Sequence, residues 1–162
     1  MTTTLQKNNW PLQRDAVAFY GNPYKPGFMA NLTQVACPWK FTTGHNMITS
    51  HKKCAESLLR VLNKTWDDIQ HDLNHLHTLG YDVFDGSYVV RAMRGGAAMS
   101  MHSLGVAFDF DAAANQQHSL KHLFQLDSPL IANFLAESWV WGGQCDPSSI
   151  DAMHVQAARV HP

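Results

Sequence analysis

Cysteine is scarce in this chain: Cys37, Cys54 and Cys145 are the only three in 162 residues. An odd count at irregular spacing does not make a disulfide frame, so three reduced thiols are expected. Long apolar runs are missing as well. No stretch of the sequence approaches the ~18 apolar residues of a membrane span, and no membrane insertion is expected. The opening Met1-Thr-Thr-Thr-Leu-Gln-Lys-Asn-Asn-Trp10 lacks the apolar centre of a secretion signal, so synthesis in the cytoplasm without a signal peptide is the expectation. An excess of one charge is also lacking, since 12 Lys and Arg against 13 Asp and Glu leave a net charge of −1. That balance argues against a nucleic-acid partner, which needs a basic face. It also leaves any affinity for an anionic surface to specific contacts. With no repeat, low-complexity tract or linker, the length suits a single monomeric domain over residues 1–162.

Proline and glycine crowd the front of the chain at Pro11, Gly21, Pro23, Pro26, Gly27, Pro38 and Gly44. Residues 1–46 therefore read as an irregular wrap with short strands near 32–36 and 39–42. Its aromatic residues Trp10, Phe19, Tyr20 and Tyr24 read as anchors to the core rather than a stacking surface. Residues 50–63 carry apolar side chains at helical spacing behind Ser50 as N-cap, and Thr65 is expected to cap a second helix that Gly80 stops. Trp66, Ile69, Leu73 and Leu76 form the inward stripe of that second helix. Residues 81–90 read as two strand pieces joined at Asp85-Gly86, and Ser128-Pro129 opens a further helix. Two His pairs, His71 with His75 and His118 with His122, lack the glutamate of a His-Glu-x-x-His site and read as solvated.

The chemistry concentrates in Ser100-x-His102-x-x-Gly105-x-Ala107-x-Asp109 and in Trp141-Gly-Gly, followed by Asp151-Ala-Met-His154. Catalytic zinc takes three protein ligands and keeps one position open for water. Two neutral imidazoles and one carboxylate would leave such a site net positive. His102, Asp109 and His154 are the candidate ligands for one zinc ion. The seven-residue step from His102 to Asp109 is too long for neighbouring turns of one helix. It suits a chain that turns at Gly105 and enters the alternating strand Val106-Ala-Phe-Asp-Phe110, where Asp109 faces away from Phe108 and Phe110. Three buried polar groups without a shared partner would be costly, and a metal supplies that partner. Asp151 lies within reach of the same water.

These paired motifs, in this order over residues 47–156, resemble the zinc D-Ala-D-Ala carboxypeptidase superfamily, which includes L-alanyl-D-glutamate endopeptidases used as phage endolysins. Gly86-Ser-Tyr88-x-x-Arg91-x-x-Arg94-Gly95 is similar to the phage branch. The resemblance implies that His102, Asp109 and His154 hold zinc, that Asp151 is the catalytic base, and that Arg91 or Arg94 stabilises the transition state. Ser100 either binds substrate or sets its loop. Gln144-Cys145 after Trp-Gly-Gly, and Val155-Gln156 after His154, depart from the usual pattern without touching a candidate ligand.

The expected fold is α+β: a small, mainly antiparallel sheet carrying the metal, with helices packed on one side. The expected function is a zinc metallopeptidase hydrolysing peptidoglycan stem peptides, an endolysin with L-alanyl-D-glutamate endopeptidase activity that reaches the wall after release. Three alternatives stay open. They are a D-Ala-D-Ala carboxypeptidase, a thiol amidase built on Cys145, and a non-catalytic zinc-stabilised wall-binding domain.

Overall fold

A computed structural model describes residues 8–93 and 96–162. All pairings within its two sheets are antiparallel. The smaller sheet pairs β1 (Leu32–Ala36) with β2 (Met47–His51), and β2 runs directly into the long helix α2 (Lys52–Asp68). The larger sheet has the order β3-β4-β6-β5, from β3 (Phe84–Gly86), β4 (Ala107–Phe110), β6 (His154–Gln156) and β5 (Val140–Trp141). Among the described residues there are also three shorter helices, α1 (Ala16–Tyr20), α3 (Leu73–Thr78) and α4 (Pro129–Ala136).

The alternation in β4 divides the larger sheet into two faces. Phe108 and Phe110 are fully buried, packing against Trp139 (ring centroids 5.6 Å apart) and Phe134 of α4 (6.3 Å apart). Helix α2 packs on α4 behind them through Leu58, Val61 and Leu62. Asp109 points the other way, so the helices occupy one face and the opposite face is left for polar groups. Buried aromatic side chains of this size dominate the core energetics. Trp139 and Trp141 both belong to the core, each 2% exposed.

Several local expectations are corrected. Ser50 does not cap α2. His51 does, its Nδ1 accepting from the Lys53 amide, while Ser50 lies within β2. Thr65 is not a cap but an interior residue of α2, with its hydroxyl donating to the Val61 carbonyl four residues back. The second helix starts instead at Leu73 behind Asp72, whose carboxylate accepts from the Asn74 and His75 amides. Leu73 faces solvent at 64% exposure and leaves the inward stripe to Leu76. No strand forms at 39–42: Trp39 and Phe41 are buried in the connection between β1 and β2. Only one strand forms in 81–90, and Asp85-Gly86 lies inside it.

The described part of the N-terminal segment is tied to the C-terminal end of the chain. Leu12 bridges Arg159, the Gln13 amide donates to the Arg159 carbonyl, and the Tyr20 hydroxyl donates to the Ala157 carbonyl at 2.6 Å. Trp10 and Tyr20 are buried, whereas Phe19 and Tyr24 are exposed.

Candidate metal centre

Two of the three candidate ligands are brought together by sheet register alone. Asp109 of β4 stands directly opposite His154 of β6, so their side chains leave the sheet side by side. His102 arrives from a tight 3-10 turn, Met101–Leu104, that precedes β4. Ser100 opens that turn by accepting from the His102 amide at 3.3 Å. Gly105 closes it with a φ of +68°, and a Cβ there would lie 2.9 Å from Leu32 Cδ2 and 3.1 Å from the His51 nitrogen. Both the left-handed backbone and the close packing therefore select glycine.

The three side chains converge. His102 Nε2 lies 3.2 Å from one Asp109 oxygen, and His154 Nδ1 lies 3.0 Å from the other. One ligand atom from each residue falls within 4.8 Å of the others. Donors bound at 2.0–2.1 Å around a tetrahedral zinc sit about 3.3 Å apart, so the two short edges already match a metal-sized gap. Each imidazole is oriented from behind. His102 Nδ1 sits 2.7 Å from the Ser87 carbonyl, which can only accept, so Nδ1 carries a proton and Nε2 is the ring atom that a metal would take. His154 Nε2 sits 3.0 Å from Gln156 Oε1.

The electrostatics fit a cation. Burial raises the pKa of the Asp109 carboxyl, but hydrogen bonds from the two imidazoles outweigh it and hold the group well below the ordinary carboxylate range. Burial pulls His154 down, yet the hydrogen bond to Asp109 more than offsets it, so the imidazole binds a proton more readily than usual. The Asp151 carboxylate adds to that upward push. A metal ion would take the place of the proton that this arrangement attracts.

The centre opens into a cleft of about 430 Å³ lined by Arg91, Ser100, Asp151, the three candidate ligands, and Gln13, Met93, His118 and Cys145 among others. Asp109 and His154 keep about a fifth of their side chains exposed (20% and 19%), so the metal position can be reached from this cleft.

Asp151 is delivered by a backbone contact. Its amide donates to the Gly142 carbonyl at 3.0 Å, and a Cβ on Gly142 would come within 2.2 Å of the Asp151 carbonyl oxygen. Arg91 stands at the base of a small antiparallel excursion in which Ala92 bridges Met99, and Ser103 Oγ accepts from its amide. Arg94 lies outside the described residues. The Ser100 hydroxyl caps the His102 turn and borders the cleft.

Cys145 also borders the cleft, but its thiol is pushed up, first by burial and then by Asp151 and Asp146. A cysteine nucleophile needs the opposite shift, because the thiolate is the reactive form. Sequence reasoning gave no role to Gln13 or to Gln156, which it noted only as a departure two residues after His154. Gln13 is a neutral amide without a motif, and only the fold brings it to the cleft.

Residues 94–157 match a family model described as D-alanyl-D-alanine carboxypeptidase. The match covers all three candidate ligands and Asp151, and stops short of the N-terminal segment. The family so described consists of zinc-dependent peptidases, so the match supports a peptidase centre. No curated protein and no solved structure gives a significant match.

Proposed function

We propose that this protein is a zinc metallopeptidase that hydrolyses peptidoglycan stem peptides, with the L-alanyl-D-glutamate bond as its target and phage-driven lysis as its setting. The observation that carries this reading is the meeting of His102 Nε2, Asp109 and His154 Nδ1 at metal-ligand spacing beside Asp151, inside the matched stretch. Bound zinc would polarise a carbonyl and make a nearby water more acidic. Asp151 takes the proton from the attacking water and passes it to the leaving amine. Arg91 offers forked donors to the oxyanion that develops on the scissile carbonyl. The Ser87 carbonyl keeps His102 turned towards the metal.

The endopeptidase bond and the lytic setting are supported by the Gly86-x-Tyr88-x-x-Arg91-x-x-Arg94-Gly95 pattern, which resembles the phage branch. The family description favours a second reading, a D-Ala-D-Ala carboxypeptidase. One experiment separates them: mass analysis of muropeptides after digestion of purified sacculi by the zinc-loaded protein. New amino termini on D-glutamate are expected. Loss of terminal D-alanine alone would replace the endopeptidase reading by the carboxypeptidase one. No released product from zinc-replete protein would overturn both and leave a wall-binding domain.

A further inference from the structure

The Gln156 side chain is buried at the rim of the metal centre, two residues beyond His154 and on the same face of β6. Its amide has a single workable orientation. The nitrogen lies 2.9 Å from the Ala158 carbonyl and 3.1 Å from Gln13 Oε1. A backbone carbonyl can only accept, so the atom facing it must be the NH₂ group. Gln156 Oε1 is thereby turned to His154 Nε2, and an acceptor there requires Nε2 to carry a proton. With Nε2 committed to Gln156, Nδ1, the atom that faces Asp109 at 3.0 Å, is the one left for a metal to take.

We infer that Gln156 is a positioning residue that locks His154 in the tautomer binding metal through Nδ1, and that Gln13 helps hold the amide in the required orientation. This gives the N-terminal segment, which lies outside the family match, a mechanical link to the centre: Gln13 to Gln156 to His154 to the metal. The Gln13 backbone N–H donates to the Arg159 carbonyl at 2.8 Å, so the residue that carries this side chain is anchored through its main chain. Partners behind a histidine ligand set its tautomer and ring angle, and losing one costs roughly 10- to 100-fold in metal affinity.

The inference rests on the metal reading above, and its test keeps the two apart. Zinc affinity is measured by chelator competition on wild type, Gln156→Met and Gln156→Glu, and the His154 tautomer by long-range proton–nitrogen NMR of the zinc-loaded proteins. Wild type is expected to show a protonated Nε2 and a metal-bound Nδ1. Methionine keeps the length but loses the acceptor, so a roughly 10- to 100-fold weaker affinity is expected. Glutamate keeps the acceptor and is expected to keep the tautomer. Zinc bound through Nε2 of His154 in wild type overturns the inference alone, and that spectrum decides even if Gln156→Met fails to fold. A folded Gln156→Met with wild-type affinity overturns it too. Wild type that binds no zinc overturns the metal reading and this inference together.

Discussion

Substitution of Gly142 by alanine isolates the delivery of Asp151, because the residue touches none of the candidate ligands through a side chain. A Cβ at this position meets the Asp151 carbonyl oxygen at 2.2 Å, its carbonyl carbon at 3.1 Å and its Cβ at 3.1 Å. Real contacts of this kind do not close below 3.0 Å, so the Asp151 backbone must retreat by about 0.8 Å. The obstacle is main chain, not a flexible side-chain tip, and cannot rotate out of the way. Forcing an extra methyl into a packed site costs about 1–3 kcal/mol, readable as a drop in the urea midpoint. The effect on chemistry should be larger in proportion. A base displaced by about 1 Å can lose a factor of about 100 in rate. We therefore expect Gly142→Ala to bind zinc with near-native stoichiometry, since His102 and Asp109 are held by other elements, while sacculus hydrolysis falls by about two orders of magnitude. Metal analysis, a turbidity assay and urea denaturation on one preparation give all three quantities. A variant that hydrolyses sacculi at the native rate with an unchanged midpoint would refute both the packing argument and the role given to Asp151.

Other expectations follow from particular groups. Asp151→Asn should retain one zinc per chain and lose about 10²- to 10⁴-fold in turnover, the usual worth of a general base; full activity in a muropeptide assay would remove Asp151 from the chemistry. Glu137, buried at the end of α4, accepts from Arg60 at 3.0 and 2.9 Å, from Ser57 Oγ at 2.9 Å and from Asn8 at 3.0 Å. Breaking a buried pair costs 3–5 kcal/mol, but Arg60 is 45% exposed, so Glu137→Ala should cost roughly 2–3 kcal/mol in chemical denaturation once screening is allowed for. Burial pushes the Cys37 thiol up to about 12 and the Tyr81 hydroxyl up to about 12. Both folded values are raised above the unfolded ones, so their contribution is intact below about pH 9, where an unfolded thiol begins to ionise, and is lost as pH climbs towards 12. The urea midpoint should therefore fall across that window, and a flat profile would contradict the burial of these groups.

The elements nearest the centre were legible because their signals are local. The alternation Val106 to Phe110 and the glycine at 105 correctly indicated a turn feeding a strand with Asp109 on the face away from the core. Pro129 behind Ser128 marked α4, although the Ser128 hydroxyl accepts from Gln125 instead of capping the helix. Thr65 misled because a threonine followed by two aspartates has the composition of a helix start. Inside a helix already held by Leu58, Val61 and Leu62, the same hydroxyl bonds backwards and the helix runs on. Polar links between distant positions, such as Asn8 to Glu137 or Gln13 to Gln156, carry no periodicity and no motif. Only the folded chain places those partners together.

The opposition of Asp109 and His154 on adjacent strands has a consequence for how this chain can tolerate change in length. A slip of one residue in β6 would put Val155 where His154 stands and send the imidazole to the face covered by α4. Deletions or insertions between Asp151 and Gln156 should therefore abolish the centre outright. The connection from Asp111 to Ser128 contributes no candidate ligand, but buried Asn115 and Phe124 pin it to the core, so added residues fit only at its exposed turn around Leu120 and Lys121.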